Sequence, residues 1–183
     1  SLSTRKRHQL ARLRREHKRA RWQSKAEQNL AHACGEIARM TGALGLSRGM
    51  REEASSIYRA AQDANLIRGR SIETMAAGSV YAACRCRGYP RLLGEIAEVA
   101  QCAKDKVELG YRVLNAELGL DAQVIRVSDH IPRLAAAVDA SDRVRHRAVE
   151  LAELADDAGL ANGRNPAGVA AACLYVADRE FGT

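Results

Sequence analysis

Aromatic side chains are scarce in this 183-residue chain: 4% of it is Phe, Trp or Tyr, with a single tryptophan and a single phenylalanine. A core built without them must close on Ala, Leu, Ile, Val and Met, which suits helices packed at short range. Only three prolines interrupt the chain, and no run of alternating β-branched residues marks a half-buried strand. These absences predict an all-α protein. No apolar run reaches the roughly 18 residues of a membrane-spanning helix, and no secretory leader opens the sequence. The five cysteines (Cys34, Cys84, Cys86, Cys102 and Cys173) are an odd number without a Cys-x-x-Cys pair. Four of them fall on apolar helix faces, which reads as reduced thiols in a cytoplasmic protein. Cys84 and Cys86 would point about 200° apart round a helix and cannot make a compact tetrahedral zinc site.

Catalytic groupings are missing as well. His8, His17, His32, His130 and His146 form no His-Glu-x-x-His or triad-like set. Glu95 with Glu98, and Asp156 with Asp157, read as charged helix faces. Arg68-Gly69-Arg70-Ser71 lacks the spaced glycines and Lys-Ser/Thr ending of a phosphate-binding loop. No enzyme and no cofactor are expected.

What the chain does have is apolar residues (46%), charge (28%) and a net charge of +7. The charge is unevenly spread. Within residues 1–25, Arg5, Lys6, Arg7, Arg12, Arg14, Arg15, Lys18, Arg19, Arg21 and Lys25 face a single acid, Glu16. That stretch carries +9 and the remainder −2. Basicity belongs to an N-terminal arm, which suits nucleic acid or an acidic protein surface.

Residues 4–22 lack Gly and Pro and are predicted to form a basic helix, whose Leu10, Leu13 and Trp22 are too few to bury a face. A solvated helix and a polyanion-contacting arm both fit that pattern. Ser24-Lys25-Ala26-Glu27 is a capping-box pattern, expected to open a new helix that carries Leu30, Ala33, Cys34, Ile37 and Met40. Gly45-Leu46-Ser47 breaks it, and Ser47 caps a helix with Met50, Ala54, Ile57, Tyr58 and Ala61 on one face. After the loop 65–70, Ser71 caps a helix of small residues that ends near Gly88-Tyr89-Pro90. Small residues on almost every face suit the centre of a bundle. Two shorter helices follow, at 92–100 and 104–118, around the turn Gln101-Cys102-Ala103. With Lys104, Lys106 and Arg112 on the second, the pair matches a helix-turn-helix outline, although most helical hairpins never touch DNA.

Shifted by 94 residues, the chain aligns with itself without a gap. Gly69, Arg70, Ala76, Ala77, Tyr81, Ala83, Arg85 and Gly88 meet Gly163, Arg164, Ala170, Ala171, Tyr175, Ala177, Arg179 and Gly182. Arg51, Ala54, Ala61, Asp63, Ala64 and Leu66 meet Arg145, Ala148, Ala155, Asp157, Ala158 and Leu160. The period is too long for a solenoid and fits two tandem copies of one helical domain. The expected organisation is a basic arm (1–23), a first copy (24–118), a linker (119–129) and a second copy (130–183). Nothing in the second copy corresponds to the helix pair at 91–118. Its central helix is therefore expected to show apolar surface and weak stability unless a partner covers it.

Several stretches resemble the core of the archaeal transcription initiation factor B family, the counterpart of eukaryotic transcription factor IIB. They are Lys25-Ala26-Glu27-Gln28-Asn29-Leu30-Ala31, Ile57-Tyr58-Arg59-Ala60-Ala61, Leu66-Ile67-Arg68-Gly69-Arg70-Ser71-Ile72-Glu73, Val80-Tyr81-Ala82-Ala83-Cys84-Arg85 and Gly163-Arg164-Asn165-Pro166-Ala167-Gly168-Val169-Ala170-Ala171-Ala172. The resemblance covers the chain from about Arg5 onward. It implies two cyclin-like repeats and a non-enzymatic role bridging promoter DNA, the TATA-binding protein and RNA polymerase, at the nucleoid.

By the same resemblance, Arg5, Lys6, Arg7, Arg12, Arg14, Arg15, Lys18, Arg19 and Arg21 lie where the family has its reader and linker segment, near melted DNA in the polymerase cleft. Arg68, Gly69 and Arg70 would approach DNA beside the TATA element. Arg91, Lys104, Lys106 and Arg112 would lie against DNA phosphate and the TATA-binding protein. The family's zinc ribbon has no counterpart in these residues, and its final recognition helix would fall beyond residue 183. A fragment, a degenerate paralogue and a competing regulator remain open, as do a cyclin-type module that binds protein alone and a nucleoid-like DNA binder.

Overall fold

A computed structural model describes residues 4–181, without the side chains of residues 4, 5 and 7. The described residues are helical and contain no strand. Two compact units result: 1–84 with 91–121, and 85–90 with 122–183.

The first unit opens on α1 (Thr4–Ala43), a helix of 40 residues and about 60 Å. The new start expected at Ser24 does not occur; the helix runs through it. A capping box is useful only where the first-turn N–H groups lack partners. Here the carbonyls of the preceding turn supply them, and no Gly or Pro nearby makes continuation costly. Arm and core therefore share one helix. Its end at Gly45 is set by a left-handed residue (φ 63°) with Leu46 N–H bonding back to the Thr41 carbonyl at 2.9 Å, a Schellman stop that favours glycine.

The helices α2 (Arg48–Asp63), α3 (Ile72–Cys86), α4 (Leu93–Ala100) and α5 (Lys104–Leu118) complete the unit, with the last two residues of α3 falling in the second. Ser47 caps α2 by accepting from the Met50 N–H, and the Ser71 hydroxyl accepts from the Thr74 N–H at 3.0 Å. Buried residues run from Met75 to Cys84 without a break, which makes α3 the central helix. Its small residues let α5 come close. A Cβ on Gly78 would lie 2.6 Å from the Gly110 carbonyl carbon, and a Cβ on Gly110 would lie 2.6 Å from the Thr74 oxygen. One turn along, Tyr81 and Tyr111 meet edge to face with centroids 5.0 Å apart, a favoured aromatic geometry. Arg39 donates to the Val99 carbonyl at 2.7 Å, tying α4 to α1. It also donates to Glu36, which holds that carboxyl below its ordinary range. Burial raises the Cys84 thiol and the Tyr58 phenol, each to about 12.

The second unit contains a 3₁₀ turn (Ser128–His130) and the helices α6 (Ile131–Ala137), α7 (Asp142–Asp157) and α8 (Pro166–Phe181). Its register repeats the first unit. Ser141 caps α7 by accepting from the Val144 N–H, as Ser47 does for α2. The left-handed positions Gly45, Asn65 and Gly69 recur as Asp139, Gly159 and Gly163. The back-bond Leu66 N–H to the Ala61 carbonyl, 2.9 Å, recurs as Leu160 N–H to the Ala155 carbonyl, 2.9 Å. Within this unit α8 is half covered. Tyr175 and Val176 are 65% and 45% exposed, and Val176 borders a groove with Leu151, Leu154, Leu160 and Val169. That is the face α5 covers on α3.

Candidate nucleic-acid interface

In the first unit, α2 leads into the 65–71 loop through Asn65, which is left-handed (φ 60°) and ends the helix. Gly69 is left-handed again (φ 78°), a conformation nearly closed to larger residues. The Arg70 N–H bonds the Ile67 carbonyl at 3.0 Å, and the Arg70 guanidinium donates to the Leu66 carbonyl at 2.7 Å. Arg68, Gly69 and Arg70 are all exposed. The loop is thus held rigidly from within while its cations face water.

Opposite this loop stands the basic half of α1. Lys6, Arg12, Arg14, Arg15, Lys18, Arg19 and Arg21 are exposed along it, whereas the side chains of Arg5 and Arg7 lie outside the described residues. Among the described residues the arm's ion pair joins Arg12 to Glu16 at 2.9 Å. A groove separates arm and loop. Arg14, Lys18, Arg21, Lys25, Arg68 and Arg70 line it together with Leu10, Leu13, Trp22, Ile67 and Ile72. Among the described residues that line it there is no carboxylate. Cations from the arm and from the loop, 40 or more positions apart in sequence, thus share one surface. The sequence reading missed Trp22, Ile67 and Ile72 as parts of this site. Their only signal was an apolar residue beside cations in the sequence; Trp22 is exposed, Ile67 and Ile72 are half-buried against the core, and the groove exists because α1 does not break at Ser24.

The cations on the helix pair fare differently. Arg91 is no surface cation: its side chain is 12% exposed, pairs with Glu95 at 3.1 Å and donates to the Leu44 carbonyl at 2.6 Å. It fastens the start of α4 to the end of α1, a packing duty that corrects its expected place on DNA. Lys104, Lys106 and Arg112 are exposed on α5 and stand outside the groove. Lys106 is set about 200° round the helix from Lys104, so the three do not form one stripe. In the second unit two of the three arginines of α7 are occupied by acids, while Arg143 lies over the Phe181 ring, 4.1 Å from its centroid. Arg145 pairs with Asp142 at 2.8 Å, and Arg147 with Glu180 at 2.7 Å and with Glu150 at 2.9 Å. Hydrogen bonds from Arg147 hold the Glu180 carboxyl below its ordinary range.

Fold and surface together define a tandem helical-repeat protein with an exposed basic groove between the arm and the first copy's 65–71 loop. The sequence profile of the transcription factor TFIIB repeat matches residues 26–117 and again 120–183. The chain belongs to the transcription factor TFIIB repeat family. It is similar to transcription initiation factor IIB 5 of Halobacterium salinarum, 48% identical over 177 residues, covering 97% of this chain and 58% of that protein. Transcription initiation factor IIB of Archaeoglobus fulgidus is 46% identical over 182 residues, 100% of this chain and 56% of its own length. That of Methanoculleus marisnigri is 44% identical over 176 residues, 96% and 52%. The chain spans a little over half the length of these relatives. Among the described residues no helix is long and apolar enough to cross a membrane.

Proposed function

We propose that the chain is the core of a transcription initiation factor. It binds the complex of promoter DNA with the TATA-binding protein and positions RNA polymerase there, at the nucleoid. The observation that carries the reading is the match of two TFIIB repeats across nearly the whole chain. The basic surface supports it: exposed Arg and Lys without acid partners are what phosphate contacts need, and a glycine turn lets backbone approach closely. Arg68, Gly69 and Arg70 contact DNA phosphate beside the TATA element, with Lys104 and Arg112 as further phosphate contacts on the first copy. The arm, residues 1–23, continues toward the polymerase. The two copies, 24–118 and 130–183, act as non-catalytic docking domains.

A gel shift on TATA-containing duplex DNA, with and without the TATA-binding protein, tests this. A supershift at low salt that weakens steeply as salt rises is expected. No supershift at any salt concentration, or equal binding to random DNA without the TATA-binding protein, would overturn the reading.

A further inference from the structure

The cations of α5 stand on a helix that sets out from a weakly built turn. The preceding helix, α4, has eight residues, too few to persist without support from outside. It stops at Gln101, left-handed at φ 53°, a conformation costly to a residue that carries a Cβ. Ala103 then opens α5 with no side chain able to cap it. Farther on, the middle of α5 is fixed by the close backbone approach of Gly110 to α3. Lys104 is the first residue of α5, well before that contact, and Arg112 lies just beyond it.

Arg91 fastens the start of α4 to α1, and Arg39 of α1 reaches its far end. The Arg39 Nη1 donates to the Val99 carbonyl at 2.7 Å, while Nη2 and Nε donate to Glu36 at 2.6 and 3.2 Å. Val99 is in the last turn of α4, where carbonyls have no partner within the helix. A guanidinium suits the task, because its rigid planar fork can serve both acceptors at once. With its side chain 43% exposed, Arg39 reads in sequence as one more surface cation beside an acid. Its hydrogen bonds give it another role. We infer that Arg39 is a positioning residue for DNA binding: it touches no phosphate itself, and it sets Lys104 in place by securing the end of α4 from which α5 departs. This role rests on the reading of Lys104 and Arg112 as phosphate contacts, and it separates the two. Lys104 depends on the tie, whereas Arg112, beside the Gly110 contact, does not.

Two measurements on the full chain test it. In the free protein, hydrogen exchange at the amides of residues 102–106 should be about five-fold faster in Arg39→Gln than in the parent chain, with helix content unchanged. On TATA-containing duplex with the TATA-binding protein, Lys104→Gln and Arg39→Gln should each weaken binding about three- to five-fold. Combined, they should weaken it little more than either does alone, because the first change has already displaced Lys104. Arg39→Gln with Arg112→Gln should instead give the product of the two single effects. Arg39→Lys keeps the charge and loses the fork, so it should bind as weakly as Arg39→Gln. Full recovery by lysine would make Arg39 a phosphate contact in its own right and overturn the inference. So would multiplicative effects of Arg39→Gln and Lys104→Gln, equal coupling to Arg112, or unchanged exchange at 102–106. The parent chain's supershift reports on the promoter reading and the coupling reports on Arg39, so the two fail separately.

Discussion

The helices α3 and α8 are the same element twice, and they differ in what covers them. Both follow a loop with a left-handed glycine, Gly69 or Gly163, and both bury the same inner face: Ala76 and Ala83 in one, Ala170 and Ala177 in the other. On the outer face Tyr81 is 8% exposed and Tyr175 is 65% exposed. Ala82 is fully buried while its counterpart Val176 is 45% exposed. The inner face is set by the repeat itself, through α1 and α2 or α6 and α7. The outer face depends on α4 and α5, which have no counterpart among the described residues of the second unit. Equal sequence thus yields equal backbone and unequal burial.

The largest effect expected from this contrast comes from the equivalent tyrosines. Tyr81→Ala should cost about 3–5 kcal/mol in denaturant melts, because it opens a cavity beside Tyr111. Tyr175→Ala should stay within about 0.5 kcal/mol, as an exposed substitution does. Next comes the pair Gly78 and Ala172. Gly78→Val drives a side chain against the backbone of Gly110 and should cost about 3 kcal/mol, whereas Ala172→Gly should cost no more than about 1 kcal/mol from helix propensity. Similar losses from both members of either pair would mean that the outer face of α8 is covered after all.

A pH experiment sharpens the contrast at moderate size. The Cys84 thiol, ordinarily titrating near 9.0, is raised to about 12 by burial, and the Tyr58 phenol rises from 10.0 to about 12. In the unfolded chain both lose their protons first, so the unfolded state binds fewer protons between pH 9 and 12. Stability is therefore full below pH 9 and falls through that window. Cys84→Ala should flatten the decline seen in urea midpoints measured from pH 8 to 11, and an unchanged slope would count against the buried thiol. The smallest effect concerns a turn. Asp139 is left-handed (φ 51°) where the first copy has Gly45. Asp139→Gly should raise thermal stability by about 0.5–1 kcal/mol; Gly45→Asp should lower it by a similar amount.

Much of this architecture was legible in the residues. The 94-residue register located α7 and α8 as images of α2 and α3, and the Ser47 and Ser71 caps fell where their helix signals placed them. Those features are local, fixed by a residue and its next few neighbours. Ser24 misled because a capping residue only permits a helix start; the surrounding turns decide whether one is needed. Arg91 misled because charge in a sequence does not reveal burial, and Glu95 with the Leu44 carbonyl takes up its guanidinium. The groove was invisible for a related reason. It joins Leu10, Trp22 and Arg68 across a distance set by an unbroken α1.

The second comparison between the copies is electrostatic: Arg145 and Arg147 of α7 carry their own acids, while Arg14, Arg21, Arg68 and Arg70 line a groove that has no carboxylate among its described lining residues. The slope of log affinity against log salt, measured on promoter DNA with the TATA-binding protein, tests this most directly. Replacing Arg14, Lys18, Arg21, Arg68 and Arg70 by Gln should reduce that slope by about 4, close to one phosphate per cation. Replacing Arg145 and Arg147 should change it by less than about 1. An unchanged slope in the first variant, or an equal fall in the second, would contradict the placement of the DNA-binding surface on the arm and first copy.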